Sequence, residues 1–356
     1  MVKEARSPQP QGVGSSLIHQ TYIELPQWIS PLSRTLNWGI LSTARIGVNS
    51  VIPAIKQSEN CNLVAIASRT LEKAERVGRS FGIPRCLSSY EGLLNSPEVE
   101  AIYIPLPNGL HKEWVIKAAE KGKHVLCEKP ISVNAGECQE MIDSCNKHGV
   151  TLMEAFMYRF HPQTNALKKL LNEGALGRVS LVRSSFTILL NDSEDIRYKK
   201  NLGGGSLLDL GSYCVDVINS IIHDTPVEVH AVAKRKQKEG VDVAFAGLVR
   251  FKSNSLGVLD CGFESPHRNH LEVVGDEGTL EVPDVFTPKD SPAMFLYNGK
   301  KREIVNPAAN TYRLMVEHFS DCVLNNRVPD FTPYDSLRNM RLIDDLTSSS
   351  KFDDRP

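Results

Sequence analysis

The chain has 356 residues, of which 41% are hydrophobic and 23% charged, and its formal net charge is −1. This composition is typical of a globular protein of one or two domains, and it excludes a strong electrostatic pull toward nucleic acid or an anionic membrane. No window approaches about 18 uninterrupted apolar residues, which excludes a membrane-spanning helix. The eight Cys are scattered without a C-x-x-C pair. We therefore expect no metal site and no disulfide framework, and predict reduced thiols in a cytoplasmic protein.

The first 35 residues differ from the rest of the chain. Residues 1–35 are polar and rich in Ser, Pro and Gln, and they contain neither an apolar h-region nor a twin-arginine pair. They lack the pattern of an export signal. We predict a flexible N-terminal arm.

Between residues 36 and 158, short apolar runs alternate with helical segments. Strands are predicted at 37–41, 62–67, 101–104, 123–127 and 150–153, with helices between them. Pro53 should kink the first helix or make it start late. Alternation of this kind indicates βαβ units, so we predict an α/β domain built on a doubly wound parallel sheet.

The pattern changes in the second half. A strand-like run ends at Leu190, a helix is predicted at 206–222, and further strand-like segments follow at 226–236, 241–252, 255–263, 268–275 and 277–283. Gly275 and Gly278 indicate a hairpin between the last two. We predict an α+β domain over 159–333 with a mostly antiparallel, open-faced sheet. A C-terminal helix within 334–356 is expected to pack back on the first domain.

The turn after the first strand lies where a dinucleotide fingerprint is expected, but G-x-G-x-x-G is degenerate here. The turn reads Ser42, Thr43, Ala44, Arg45, Ile46 and Gly47. Small side chains let a pyrophosphate approach the backbone, and the helix start supplies donors. A plain βα turn is the alternative.

The second strand ends in Ser68 and Arg69, without the acidic residue that would bind a ribose 2′-OH. A hydroxyl beside a guanidinium suits a 2′-phosphate, although an Arg at a helix start can simply be solvated. If a dinucleotide binds, NADP is therefore favoured, with NAD as the alternative.

Two further strand ends carry candidate residues. The third is followed by Leu106, Pro107, Asn108 and His111, which would border the nicotinamide ribose, and His111 could touch the ligand or only cap a helix. The fourth runs into Glu128, Lys129 and Pro130, at the edge where open sheets bind ligands. A solvated strand end is the alternative there.

The sharpest feature of the second half is the turn at 203–205 with the helix that follows. Asp209 and Tyr213 are four residues apart and project from one face, with Asp216 on nearly the same stripe. Polar groups on an apolar helix need a polar cavity, or a structural Asp–Tyr hydrogen bond. The spacing of His267 and His270 suggests metal binding, but nothing nearby complements it.

These motifs together resemble the glucose–fructose oxidoreductase, inositol dehydrogenase and rhizopine catabolism (Gfo/Idh/MocA) superfamily. The resemblance rests on five segments between residues 36 and 350: 38–41, 103–108, 128–130, 156–162 and 204–213. Tyr at 213 resembles the branch with glucose–fructose oxidoreductase, dihydrodiol dehydrogenase, xylose dehydrogenase and NDP-sugar 3-ketoreductases. It implies an NADP-binding Rossmann domain over 36–158.

The resemblance also implies residue roles. Lys129 would be catalytic, with a cis bond to Pro130, although such bonds are only about 5–6% of X–Pro bonds. Tyr213 would be the general acid/base, favoured as phenolate by Lys129, and Asp209 a partner of substrate or Lys129. The expected cofactor-binding residues are Ser42, Thr43, Ala44, Arg45, Ile46, Ser68, Arg69, Leu106, Pro107, Asn108, His111, Glu128, Lys129 and Arg159.

The predicted reaction is hydride transfer between a sugar or cyclic polyol carbinol and nicotinamide. Two alternatives are an NAD-dependent glycosidase and a non-catalytic, nucleotide-sensing regulator. The substrate stays open between a free aldose, a dihydrodiol and a nucleotide-linked keto-sugar. The loops at 190–202 and 264–270, which would set specificity, contain no motif that distinguishes these substrates. We expect a homodimer or homotetramer through the second sheet, and an N-terminal arm that clasps a neighbour is a hypothesis.

Overall fold

A computed structural model describes residues 34–236, 240–288 and 290–352. Nearly all of the predicted N-terminal arm lies outside these ranges. None of the helices in the described ranges is long and apolar enough to cross a membrane. The predicted fold class is confirmed, since a parallel sheet is followed by a mixed, mostly antiparallel one.

Six strands of the described chain form a parallel sheet in the order β3-β2-β1-β4-β5-β6. They are β1 Leu36–Leu41, β2 Cys61–Ala67, β3 Arg85–Leu87, β4 Ala101–Ile104, β5 His124–Cys127 and β6 Leu152–Glu154. The central strands are short apolar runs buried on both faces, which suits a sheet covered by helices. The chain order reverses between β1 and β4, so ligands are expected at the carboxyl ends of these strands.

The helices of this half are α1 Ile52–Gln57, α2 Leu71–Phe81, α3 Tyr90–Leu94, α4 His111–Glu120 and α5 Ala135–His148. The first begins late, as predicted, because a π-helical turn at Gly47–Val51 precedes it and Pro53 lies in its first turn. Asn134 caps α5 by accepting from the Glu137 N–H, which satisfies one of the orphan donors of the helix start.

Nine described strands form the second sheet, in the order β14-β13-β12-β11-β7-β10-β9-β8-β15. They are β7 Val179–Leu189, β8 Pro226–Arg235, β9 Asp242–Phe251, β10 Leu256–Gly262, β11 Glu264–Gly275, β12 Thr279–Pro283, β13 Ala293–Tyr297, β14 Lys301–Val305 and β15 Ser350–Phe352. The pairs β7–β10 and β8–β15 are parallel and the others antiparallel. Burial alternates along β9, as expected for a sheet with one open face.

The helices of the second half are α6 Pro162–Asn172, α7 Ser212–Ile222, α8 Thr311–Leu324 and α9 Pro333–Ser349. The predicted helix at 206–222 starts with a π-helical turn, Leu207–Gly211, before α7. Helix α9 contacts both halves. Its Asp344 accepts from the Ala135 N–H at 2.9 Å, and its Asn339 accepts from Asn219 at 2.9 Å.

Candidate active site

The turn after β1 lies where a dinucleotide-binding turn is expected, although Ser42 and Ala44 replace two of its glycines. Ser42 has φ +134°, a conformation that L residues rarely adopt. Its Oγ accepts from the Ala44 N–H at 3.1 Å. Thr43, Arg45 and Ile46 follow, and the helical run begins at Arg45. First-turn N–H groups of a helix have no intrahelical partner, so this turn fits a pyrophosphate.

Ser68 and Arg69 lie at the carboxyl end of β2, beside that turn. The Ser68 side chain is buried, and its N–H donates to the Leu87 carbonyl at 3.0 Å. Arg69 is exposed and forms no ion pair with another described residue. An unpaired guanidinium beside a hydroxyl fits a 2′-phosphate.

The loop after β4 joins the two halves of the molecule. Leu106 is buried, and Pro107 and Asn108 are half-buried. Asn108 Nδ2 donates to the Gly203 carbonyl at 2.7 Å. Gly203 has φ +74°, and a Cβ there would approach Asn108 Cβ to 2.9 Å. The first glycine of the 203–205 turn is therefore needed for this close contact.

His111 is fully buried and lies behind the cleft, not on its surface. Its Nδ1 is 2.9 Å from the Pro130 carbonyl oxygen and its Nε2 is 2.8 Å from the Leu106 carbonyl oxygen. Burial lowers the pKa of His111, and the Lys129 cation lowers it further, although the carbonyls raise it. The ring thus bridges the loops after β4 and β5.

The predicted cis peptide bond between Lys129 and Pro130 is confirmed. At this strand end, Glu128 accepts from the Lys129 N–H and from the Tyr103 hydroxyl. Burial raises the pKa of Glu128 above its ordinary value. The Lys129 side chain projects into the cleft, where its Nζ donates to Asp209 Oδ1 at 2.9 Å and to the Asp209 carbonyl at 2.8 Å.

Asp209 lies on the π-helical turn and accepts from two cations. Lys129 Nζ donates to Oδ1, and Arg197 Nε donates to Oδ2 at 2.7 Å. Burial raises the pKa of Asp209, but the two cations more than offset this and hold the pKa below its ordinary value. Sequence reasoning missed Arg197. It lies in a loop that shows neither helix nor strand periodicity. Its position between Asp195 and the glycine turn was the only signal in the sequence.

Tyr213 lies next to this cluster, with its ring edge against Phe156 and Phe186. Its hydroxyl contacts the Met157 Sδ at 3.6 Å, which is a weak acceptor. Lys129 Nζ lies over the ring, 4.8 Å from its centroid. Burial raises the pKa of Tyr213 well above 10. The expected stabilisation of phenolate by Lys129 is therefore wrong for this geometry, because Lys129 is engaged with Asp209.

Arg159 lies apart from the cleft, in a second buried cluster. Its Nε and Nη2 donate to Asp216 at 2.8 and 2.7 Å, and its guanidinium stacks on Phe331. Tyr158 and Asn339 donate to the same carboxylate at 2.6 and 2.7 Å. Both Nε and Nη2 of Arg159 therefore face Asp216.

The cleft thus brings together an ammonium, a carboxylate with two cations, and a phenol whose hydroxyl has no strong partner among the described residues. A protonated phenol and an ammonium can both donate to a substrate oxygen, and the phenol can accept or return its proton. The donors of the β1 turn and the unpaired Arg69 lie at the edge of the same sheet. This arrangement suits redox chemistry at an alcohol or carbonyl carbon.

Comparisons with known proteins agree with this geometry. A model of an oxidoreductase family with an NAD-binding Rossmann fold matches residues 36–156, and a model of the GFO/IDH/MocA C-terminal domain matches residues 164–281. The chain is 39% identical over 318 residues to a D-xylose 1-dehydrogenase (NADP(+)) from Haloferax volcanii, covering 88% of this chain and 97% of the relative.

Two other relatives broaden the comparison. The chain is 31% identical to a trans-1,2-dihydrobenzene-1,2-diol dehydrogenase of Xenopus tropicalis over 76% of this chain and 81% of the relative. A solved structure of KijD10, a 3-ketoreductase from Actinomadura kijaniata in complex with NADP and TDP-benzene, superposes with a TM-score of 0.85. It is 30% identical and covers 91% of this chain and 100% of that one.

Proposed function

The chain belongs to the Gfo/Idh/MocA oxidoreductase family, and from that premise we propose that it is an NADP-dependent enzyme that transfers a hydride between a sugar or diol carbinol and nicotinamide. The family predicted from the motifs is thereby confirmed. The observation that carries the proposal is the Lys129–Asp209 pair beside the Tyr213 ring, at the carboxyl edge of the parallel sheet.

NADP is proposed as the coenzyme, with NAD as the weaker alternative. Ser68 and the unpaired Arg69 support a 2′-phosphate site, and the Ser42 turn supports a pyrophosphate site. The xylose dehydrogenase and the ketoreductase structure both carry NADP in their names. When bound, the coenzyme takes a hydride from the substrate carbon or gives one to it.

The chain's own residues would hold the substrate oxygen and move its proton. Tyr213 is buried and protonated at neutral pH because burial raises its pKa, so in reduction it donates its proton to the carbonyl oxygen. Lys129 donates a hydrogen bond to the same oxygen and stabilises its negative charge. Asp209 holds Lys129 in place. In oxidation, Tyr213 must first lose its proton to solvent, and as phenolate it then accepts the proton of the substrate hydroxyl while the same carbon gives up its hydride to the coenzyme.

The proposed substrate class is a small polyhydroxylated compound. The relatives act on D-xylose, a dihydrodiol and a dTDP-linked dideoxy keto-sugar, which share a carbinol or carbonyl carbon beside another oxygen-bearing carbon. A cleft lined by Lys129, Asp209 and Arg197 supplies polar partners for such neighbouring oxygens.

The test is a substrate panel followed at the absorbance of the reduced nicotinamide. Wild-type protein is mixed with D-xylose, other aldoses, trans-dihydrobenzenediol and dTDP-sugars, with NADP⁺ and NAD⁺ compared side by side. We expect turnover with at least one sugar or diol, and faster with NADP⁺. Cleavage of an aryl glycoside without net coenzyme turnover would instead identify a glycosidase, and coenzyme binding without any turnover would identify a regulator.

We also propose that the enzyme is a homodimer or homotetramer that works in the cytoplasm. The open face of the second sheet presents Val232 and Leu248, which are 60% and 42% exposed, and apolar side chains on an open sheet favour a covering partner. All eight Cys are unpaired, which suits a reducing compartment. Sedimentation of wild-type protein and of the Leu248→Lys variant tests the oligomer, and the variant should dissociate.

A further inference from the structure

Arg197 lies on a short 3-10 turn, Ile196–Tyr198, in the loop between β7 and the glycine turn. Its guanidinium is held on two sides. Nε donates to Asp209 Oδ2 at 2.7 Å, and Nη1 lies 3.2 Å from both carboxylate oxygens of Asp195. The side chain is only 34% exposed, although it belongs to a surface loop.

The contact with Asp209 divides that carboxylate between two cations. Oδ2 accepts from Arg197, and Oδ1 accepts from Lys129 at 2.9 Å. A carboxylate held by one cation alone can rotate about its last bond and present either oxygen. With Arg197 present, rotation would break a charge-assisted hydrogen bond, so the oxygen that holds Lys129 is fixed.

The loop does not need this guanidinium to close. Its backbone already forms hydrogen bonds from the Gly203 N–H to the Lys200 carbonyl, from Gly204 to Lys199 and from Gly205 to Arg197, at 3.0, 3.1 and 2.9 Å. The side chain instead reaches out of the loop toward the catalytic cluster. Its charge is balanced by Asp195 on one side and Asp209 on the other.

We propose that Arg197 is a positioning residue of the reaction: it fixes the Asp209 carboxylate so that Lys129 is held where it meets the substrate oxygen. Arg197 does not itself touch the reacting atoms. The inference rests on the proposed function, because it assigns Lys129 to the substrate.

The test compares three variants with wild type. Arg197→Gln removes the charge, Arg197→Lys keeps it, and Lys199→Gln removes a cation two residues away that pairs with the exposed Glu194 at 2.8 Å. For each, kcat and KM are measured across a pH series with NADP⁺ and the sugar or diol that gives the fastest turnover in the panel, and the Kd of NADPH is measured by fluorescence.

We expect Arg197→Gln to lower kcat by about 100-fold, the loss typical of a small misplacement of a catalytic group. The Kd of NADPH should change less than about twofold. Asp209 is faced by Lys129 and Arg197, and by the acidic groups Glu128 and Tyr213. Losing one cation raises the pKa of Asp209, so the acid limb of the kcat profile should move to higher pH.

Arg197→Lys should recover most of the kcat and the original acid limb, and Lys199→Gln should behave as wild type. Wild-type kcat in Arg197→Gln would overturn the inference, as would a loss shared by Lys199→Gln or one without any shift of the acid limb. If Arg197→Gln does not fold, a wild-type profile in Arg197→Lys supports the inference, and a full loss there overturns it. An inactive wild type would show that the proposed function has failed.

Discussion

Asp209 and Asp216 stand seven residues apart on one helical stretch, and both are held by cations, yet they lie in different surroundings. The Asp209 side chain is 14% exposed and faces the cleft, where Lys129 and Arg197 each take one oxygen. The Asp216 side chain is 0% exposed. Its oxygens accept from two separate elements: Tyr158 and Arg159 on one 3-10 turn, and Asn339 on α9.

The difference separates a reactive ion pair from an architectural one. Lys129 keeps one N–H for a substrate oxygen, because its two contacts with Asp209 use two of the three ammonium hydrogens and its side chain is 13% exposed. Arg159 is sealed between a carboxylate and the ring of Phe331. A buried charge without its partner is very costly, so Asp216 should govern stability while Asp209 and Lys129 govern turnover.

The largest expected effect is on turnover, from Lys129→Met. We expect kcat to fall about 1,000-fold, within the range for loss of a group that assists proton transfer. Stability should change little because Asp209 keeps Arg197. Steady-state kinetics and thermal unfolding measure the two quantities. Lys112→Met, which removes a surface cation from α4, is the matched control, and equal losses in both would contradict the comparison.

Asp216→Asn should have the next largest effect, and on stability. The substitution leaves the Arg159 guanidinium buried without a counter-charge, so we expect the free energy of unfolding to fall by about 3–5 kcal/mol. Chemical denaturation measures it. Kinetics well below the unfolding midpoint should show nearly unchanged kcat. Should the variant stay stable but lose turnover, the two clusters have the opposite roles to those assigned here.

Much of the fold could be predicted because its strands are apolar runs of readable length. The strand that leads to Lys129 and the hairpin at Gly275–Gly278 both follow from local pattern and turn chemistry. Strands β3, β13 and β14 have no counterpart among the predicted elements. They are three to five residues long, and β3 and β14 are partly polar. Pairing with neighbours, which no local pattern encodes, makes them strands.

Site residues could be predicted where a motif lies at a strand or helix end. They could not be predicted where a contact joins residues that are distant in the sequence. The contact of Arg159 with Asp216, 57 residues further on, was not predicted, and the expected contact of Arg159 with the coenzyme stays a prediction. Arg197 was missed because its contact with Asp209 depends on how an irregular loop folds. The π-helical turns before α1 and α7 were likewise unpredicted, since propensity does not distinguish them from α-helix.

A third prediction concerns pH and the Asp216 cluster. Glu154 is buried, and burial, with the nearby Asp216, raises its pKa to about 8. An unfolded Glu titrates near about 4.3, so between about pH 4.5 and 8 the native state binds the extra proton and the free energy of unfolding falls as pH rises.

Glu154→Gln mimics the protonated form and keeps an oxygen for the Ile131 N–H. We expect it to be about 2 kcal/mol more stable than wild type at pH 8, with little difference at pH 5. Denaturation at both pH values measures this, and a difference that does not grow with pH would show that Glu154 is ionised in the native state. Glu91→Gln, on an exposed helix surface, is the control.

The smallest expected effect comes from Asn339→Ala, which trims the Asp216 cluster without unbalancing its charge. Asn339 donates to Asp216 Oδ1 at 2.7 Å and accepts from Asn219 at 2.9 Å. Losing one hydrogen bond to the carboxylate and one between two amides should lower the free energy of unfolding by about 1–2 kcal/mol, because Asp216 keeps its donors Tyr158 and Arg159. Asn62→Ala removes an exposed hydrogen bond between the side-chain amides of Asn62 and Asn37. It should lower the free energy of unfolding by about 0.5 kcal/mol or less. Turnover should be unchanged in both, because neither amide reaches the cleft. If kcat falls in Asn339→Ala alone, the Asp216 cluster is coupled to Asp209 through the helix that they share, and its role is not purely architectural.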